Sequence, residues 1–185
     1  EASLPVLGAV IADSSAEAIR LGMAAKTAGA CGLQVPPPHF GFVMELRTLS
    51  AYYRAIADAT GLPLIIYNVV PWAQLAVDGV AEMAAGNPAI VGVKQSGRNM
   101  HALAGLLATL KGRIRIFSAI DDMIYPSLML GVDGTISGTS TVFPREIVRM
   151  VRAVRDGDHA TALDLHERIT PVLRAIDYPD FPSRA

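Results

Sequence analysis

The residue with the clearest chemical potential is Lys94, which directly follows the apolar run 90–93. If that run is a covered strand, the ammonium at its end is costly to desolvate. Desolvation lowers a lysine pKa from its usual value of about 10.4, and a neutral amine can attack a ketone to form an imine. Position alone favours the alternative, a surface lysine whose ammonium reaches water.

Tyr67 ends the preceding apolar run, 64–67. Its phenol can donate and accept a proton, as a relay to a substrate requires. The alternative is a tyrosine that covers the core and keeps its hydroxyl in water. Adjacent parallel strands would bring Tyr67 and Lys94 to the same edge of a sheet, so the pair indicates more than either residue alone.

Other polar residues follow predicted strands or loops. His39 comes after three prolines and is either an acid, base or substrate contact, or an exposed loop histidine. Asp121 and Asp122 are predicted to cap a helix that begins near Met123, with a catalytic role as the alternative. The remaining histidines fall on predicted helices without the pairing of metal ligands, so no metal site is predicted.

The elements that would position these residues alternate along the chain. Six short apolar runs, each followed by a helical segment, predict a parallel sheet with helical crossovers. The predicted strands are 6–11, 33–35, 64–67, 90–93, 114–117 and 134–137. This alternation does not choose between an open doubly wound sheet and a closed barrel, although no glycine-rich dinucleotide fingerprint follows any strand. A complete (β/α)₈ barrel typically needs about 250 residues, and this chain has 185.

Composition excludes several classes of protein. Hydrophobic residues make up 51% of the chain and the net charge is −1, so neither a disordered chain nor a basic nucleic-acid-binding surface is predicted. The apolar stretch 62–77 is interrupted by Pro63 and Pro71 and is too short for a membrane span. The single cysteine, Cys31, excludes an internal disulfide, and its small neighbours predict a buried side chain. With no signal-peptide pattern, we expect a cytoplasmic protein.

Four motifs together resemble the dihydrodipicolinate synthase / N-acetylneuraminate lyase family. Their order and spacing match over nearly the whole chain, and they are Tyr-Asn-Val at 67–69, Val-Gly-Val-Lys-Gln-Ser-Gly at 91–97, Asp-Asp at 121–122 and Gly-Val-Asp-Gly-Thr-Ile-Ser at 131–137. The resemblance implies an α/β fold, the (β/α)₈ TIM barrel, with an extra C-terminal helical region. It also implies a homotetrameric or homodimeric Schiff-base lyase that acts on pyruvate or another 2-oxo acid without a metal or organic cofactor.

The resemblance also implies roles for single residues. Lys94 would be the Schiff-base lysine, Tyr67 the proton relay, and Ile136 a contact of the bound pyruvoyl group. Ser137, at the end of the last predicted strand, joins the predicted substrate-binding residues. His39 aligns with the family's second tyrosine, which the synthases supply across a subunit interface.

Trp72 falls near the place of an arginine that binds the carboxylate of aspartate semialdehyde in the synthases. An indole ring cannot replace a bidentate carboxylate clamp, although Trp72 could equally be a packing residue of its loop. These departures favour an aldolase or dehydratase for another 2-oxo acid. Genuine 4-hydroxy-tetrahydrodipicolinate synthesis is the first alternative, and a non-catalytic ligand-binding relative or inactive fragment is the second.

The resemblance predicts which part of the barrel these residues form. The run 6–11 resembles the family's third strand, so we expect strands 3 to 8 with their helices. The Gly-Thr-Thr-Gly-Glu loop that holds the substrate carboxylate is then expected before Glu1, and the run 177–182 resembles the segment that leads into the last helices. We predict a partial barrel at 1–156 and the start of the C-terminal helical region at 157–185.

Overall fold

Six strands lie side by side in one parallel sheet in the computed structural model, which describes residues 4–41 and 43–176. Their order in the sheet is their order in the chain. A doubly wound sheet reverses its strand order at a switch point, whereas a (β/α)₈ barrel keeps it, so the sheet is a half-barrel whose two ends are the first and last strands. The strands are β1 (Leu7–Ala9), β2 (Gly32–Val35), β3 (Leu64–Asn68), β4 (Ile90–Gln95), β5 (Arg115–Ser118) and β6 (Gly134–Thr135).

Helices separate successive strands, as the alternation predicts. The six strand-then-helix units are confirmed, and two 3₁₀ turns (Pro71–Ala73 and Asp121–Met123) and one short helix after β6 were not predicted. No helix within the described ranges is both long and apolar enough to cross a bilayer. The helices are α1 (Ser15–Thr27), α2 (Leu46–Thr60), α3 (Val77–Gly86), α4 (Met100–Leu110), α5 (Ile124–Leu130), α6 (Thr139–Val142), α7 (Pro144–Arg155) and α8 (His159–Ile176).

The core lies between the sheet and its helices. Fully buried residues of neighbouring strands, such as Leu64, Ile66 and Val93, belong to one cluster with apolar residues of the helices. Because side chains alternate between the two faces of a strand, Tyr67 and Lys94 point to the opposite, inner side of the half-barrel. The helix-facing core therefore fixes the strands, and the inner side is left for the polar residues.

Helix α8 packs the C-terminal part of the described chain against elements near the strand ends. Its buried residues Ala162, Leu165, Ile169 and Leu173 recur every three or four positions along one stripe, and α8 packs against α7, α5 and the turn Asp121–Met123. The predicted boundary at 157 falls in the turn between α7 and α8. The division into two domains stays a prediction, and the run 177–182 lies outside the described residues.

The prediction for Cys31 is wrong, because its side chain is exposed. Cys31 precedes β2 rather than lying in it, and its amide and thiol both bond the carbonyl oxygen of Val6. The small neighbours of Cys31 therefore mark the entry to a strand and not a core position.

The two valines of β4 offer a test of the helix-facing core. Val93 is 0% exposed and Val91 is 40% exposed. We expect Val93→Ala to lower the free energy of unfolding by about 2 to 3 kcal/mol, from lost burial and the cavity left behind. The matched variant Val91→Ala should cost roughly 0.5 kcal/mol. Urea unfolding measures both, and equal losses would contradict this description of the core.

Candidate active site

Lys94 and Tyr67 are direct neighbours across β3 and β4. They are register partners in the parallel pair, and the Nζ atom of Lys94 lies 3.7 Å from the centroid of the Tyr67 ring. Lys94 is only 7% exposed. The face of the ring attracts the ammonium and also shields it from water, so the sequence-predicted pair is brought together.

Burial changes the protonation of both groups. It lowers the pKa of Lys94, while the negative charge of Asp121 opposes this. Burial also raises the pKa of Tyr67, against a hydrogen bond with the Ser96 side chain that lowers it, and Asp121 adds a smaller upward effect. Lys94 therefore yields a neutral amine at lower pH than an ordinary lysine, while Tyr67 keeps its proton at neutral pH and can donate it.

Lys94 and Tyr67 both line a cavity of about 850 Å³. Its walls come from the C-terminal ends of β3 to β6, where barrel enzymes carry their active sites, and from α8. Of the residues predicted from the sequence, Tyr67, Lys94, Ile136 and Ser137 all line the cavity. The half-barrel thus gathers four separately predicted residues around one space.

His39 and Trp72 lie outside the set of residues that line this cavity. They contact each other instead, because Nε1 of Trp72 donates to the carbonyl oxygen of His39 at 3.1 Å and their rings are 6.5 Å apart. The backbone amide of His39 is held by the Asp13 carboxylate at 2.7 Å. Their predicted contacts with substrate stay predictions.

The helix-cap prediction for Asp121 and Asp122 is wrong. Both fall in the 3₁₀ turn before α5, and the N-cap residue of α5 is Met123, which makes no side-chain capping hydrogen bond. Asp121 instead accepts hydrogen bonds from the backbone amide and the hydroxyl of Thr139, and it lines the cavity. It therefore ties the loop after β5 to the start of α6, which holds the segment with Ile136 and Ser137 in place.

A buried amide pair supports the loops behind Lys94 and Tyr67. Nδ2 of Asn68 donates to Oε1 of Gln95 at 2.8 Å, and Oδ1 of Asn68 accepts from the amide of Leu75. The Gln95 amide in turn donates to the carbonyl oxygen of Ser96. Asn68 and Gln95 are at most 1% exposed, and buried polar groups with satisfied partners fix a conformation. They fix the two strand ends that carry Tyr67 and Lys94.

Arg98 and Arg174 line the cavity but were not predicted from the sequence. Arg98 follows Gly97 just after β4, so its position after a strand was an available signal. Arg174 belongs to the last turn of α8, and only the packing of that helix on the strand ends brings it to the site. Among the described residues, no group of three or more His, Cys, Asp or Glu side chains could hold a metal ion.

The pKa of Lys94 gives a pH-dependent prediction. The pKa of Lys94 is lowered in the folded chain, so between this lowered pKa and about 10.4 the unfolded chain binds more protons, and stability rises with pH. We expect the parent protein to gain free energy of unfolding relative to Lys94→Met as the pH rises from about 7 to 10. Urea unfolding across this window measures the difference, with Lys26→Met as a control at an exposed lysine. A flat or falling difference would contradict the burial of the Lys94 ammonium.

Comparisons with known proteins agree with this geometry. Residues 1–183 match the model of the dihydrodipicolinate synthetase family. A 4-hydroxy-tetrahydrodipicolinate synthase of Methanospirillum hungatei is 31% identical over 97% of this chain and 62% of that protein. The probable 2-dehydro-3-deoxy-D-pentonate aldolase YjhH of Escherichia coli is 32% identical over 95% of this chain and 60% of that protein.

The fold is similar to that of a solved family member. YagE, a prophage protein of E. coli K12 solved in complex with pyruvate, superposes with a TM-score of 0.88 at 28% identity over 95% of this chain and 61% of that one. The chain thus spans about 60% of the length of its curated relatives. The family predicted from the motifs around Tyr67 and Lys94 is confirmed by a match over almost every residue, and this chain belongs to the dihydrodipicolinate synthetase family.

Proposed function

We propose that this chain carries the Schiff-base centre of a lyase that acts on pyruvate or another 2-oxo acid. The observation that carries the proposal is the buried Lys94 amine, held against Tyr67 at the wall of a cavity. A desolvated lysine with a lowered pKa is the form that attacks a carbonyl carbon. The pyruvate complex of YagE supports a 2-oxo acid as the substrate class.

The proposed chemistry begins at the substrate ketone. The neutral Lys94 amine adds to the carbonyl carbon C2, the oxygen leaves as water, and a protonated imine remains. This imine withdraws electrons, so C3 loses a proton to give an enamine that can form a bond to a second carbonyl carbon. In the reverse direction the same imine accepts the electron pair when that bond breaks. No metal or organic cofactor enters these steps.

Tyr67 is the proposed proton relay. Its phenol stays protonated at neutral pH because burial raises its pKa, so it can donate a proton to the oxygen that leaves C2 as water. The hydrogen bond with Ser96 gives the phenol a second partner. Since the Tyr67 ring and the Lys94 amine are already in contact, substrate need only enter beside them.

Ile136 and Ser137, which line the same cavity as Lys94, are the proposed substrate contacts. The amide of Ile136 is bonded to the carbonyl oxygen of Ser118 at 3.0 Å, and the hydroxyl of Ser137 shares a hydrogen bond of 2.9 Å with Ser140. The strand-like backbone therefore holds an apolar side chain and a hydroxyl next to each other at the cavity wall. Such a pair suits a small acid with an apolar methyl and polar oxygens.

We further propose an aldolase or dehydratase rather than a 4-hydroxy-tetrahydrodipicolinate synthase. The two named relatives differ by only one percentage point of identity, so similarity does not choose between them. Trp72 is 64% exposed, and its one hydrogen-bond donor is used on His39. It provides no carboxylate clamp for aspartate semialdehyde, and efficient turnover of pyruvate with that aldehyde would contradict this choice.

The proposal extends to assembly and location. The resemblance supports a homodimer or homotetramer, in which His39 stands where the synthases use a tyrosine from the neighbouring subunit. Its backbone amide is already anchored by Asp13 in this chain, and we propose that His39 and Trp72 contact substrate only in that assembly. A cytoplasmic location agrees with a single cysteine that has no partner for a disulfide.

The first prediction from this proposal concerns covalent trapping. Borohydride added with pyruvate should reduce the imine and leave one reduced pyruvyl group on the peptide that contains Lys94. The chain has three lysines, so Lys26→Met and Lys111→Met are matched controls that should still be labelled, whereas Lys94→Met should not. Peptide mass mapping reads the result, and label only on other peptides would refute the proposed function.

The second prediction distinguishes the proposed proton relay by Tyr67 from imine formation at Lys94. We expect Tyr67→Phe to keep trapping pyruvate, because the amine remains. It should slow deuterium exchange at the pyruvate methyl by about 100-fold or more, because the acid–base group is lost. Proton NMR in D₂O measures the exchange, with Tyr125→Phe as a control outside the cavity lining. Exchange at the parent rate in Tyr67→Phe would rule out the relay role.

A further inference from the structure

Two arginines on different elements line the cavity, Arg98 after β4 and Arg174 in the last turn of α8. We propose that they bind a second carboxylate, at the end of the substrate that lies away from Lys94. The preferred substrate class would then be a 2-oxo dicarboxylic acid. This inference rests on the proposed function, which places the ketone of the substrate at Lys94.

The backbone at Arg98 is held in an unusual conformation. Its φ is +55°, and within residues 4–41 and 43–176 it is the one residue other than glycine with a positive φ. Asn and Asp are the residues usually found there, and strained backbone persists where the surrounding structure requires it, often at ligand sites. The preceding Gly97 has a φ of +83°, a conformation that favours glycine, and a Cβ at this position would displace the side-chain amide of Gln74. The backbone position from which the Arg98 side chain extends is therefore fixed.

Arg174 is positioned by the apolar stripe of α8. Its neighbour Leu173 is 6% exposed and lines the same cavity, so the packing of Leu173 sets where the helix end meets the site. No group in the described part of the chain forms a hydrogen bond or ion pair with Arg174. A guanidinium at a cavity wall presents a planar fork of donors that matches a carboxylate.

Basic side chains outnumber acidic ones in the lining of the cavity. The basic ones are Lys94, Arg98 and Arg174, and the acidic ones are Asp121 and Asp122. Asp121 is already occupied by two hydrogen bonds from Thr139. A carboxylate carries one charge and is planar, whereas a phosphate would bring up to two charges against the two aspartates.

The size of the cavity agrees with a longer acid. At about 850 Å³ it lies in the upper part of the range of small-molecule pockets, about 300 to 1,000 Å³. The cavity therefore has room for an acid longer than the three carbons of pyruvate. A chain that runs from the imine toward the arginines uses it.

The test compares two acids with six carbons each, 2-oxoadipate and 2-oxohexanoate, which differ in the terminal carboxylate. Borohydride trapping on the whole protein gives the half-saturating concentration of each acid, and their ratio is the preference for the diacid. We expect the parent protein to prefer 2-oxoadipate by about tenfold or more, as one charge-assisted hydrogen-bonded contact provides. Arg174→Gln and Arg98→Asn should each lower this ratio by about tenfold, and asparagine is chosen because it tolerates the backbone at position 98.

The controls separate recognition from folding. Arg168→Gln removes an arginine of the same helix that pairs with Asp164, and it should leave the ratio as it is. Arg174→Lys keeps the charge in the last turn of α8 but loses the fork, and it should give an intermediate ratio. An unfolding midpoint for every variant shows that the chain is folded.

The possible results of the trapping experiment distinguish the inference from the proposed function. A lowered ratio in both arginine variants supports the subsite. A ratio that stays unchanged, because both acids weaken together, assigns the arginines a structural role and overturns the inference. Trapping of pyruvate without any preference for the diacid in the parent protein also overturns the inference alone, whereas no trapping of any acid refutes the proposed function and the inference with it.

Discussion

The contact between the Lys94 ammonium and the Tyr67 ring is the constraint on which the site depends. A charge that is only 7% exposed needs compensation, and here the ring face at 3.7 Å and the nearby Asp121 carboxylate provide it. That compensation exists only if β3 and β4 pair in the register that places the two residues side by side. The burial that makes the ammonium unfavourable also lowers the pKa of Lys94 and so favours its neutral amine form.

The rest of the fold maintains the register between β3 and β4. The helix-facing residues of β3 and β4 are buried in the core cluster, and the Asn68–Gln95 amide pair ties the two strand ends together where the core no longer reaches. Asp121 does the same for the loops after β5 and β6 through Thr139. Three kinds of interaction, apolar packing, an amide pair and a carboxylate–amide contact, thus hold successive parts of one cavity wall.

Local patterns in the sequence were sufficient for the elements and for the central pair. Apolar runs closed by Tyr67 and Lys94 mark strand ends, and parallel pairing of neighbouring strands makes their meeting predictable. Asp121 was misjudged because a carboxylate before a helix has two possible partners, and the one it uses lies 18 residues further along the chain. Arg174 could not be found from its surroundings in the sequence, since it reads as an ordinary last-turn cation of an amphipathic helix. Its place in the site depends on how α8 packs against the loops at the strand ends. That packing is a property of the tertiary structure and is not visible in the local sequence.

The wall that α8 contributes has a consequence for how such a site can change. Tyr67 and Lys94 lie on strands of the half-barrel, whereas Leu173 and Arg174 lie on a helix that follows them in the chain. Substitutions, or a small shift of that helix, would alter this wall of the cavity without disturbing the register of β3 and β4. The strand pair that carries Tyr67 and Lys94 and the wall formed by α8 are therefore encoded in separate segments of the chain, and each can diverge while the other is kept.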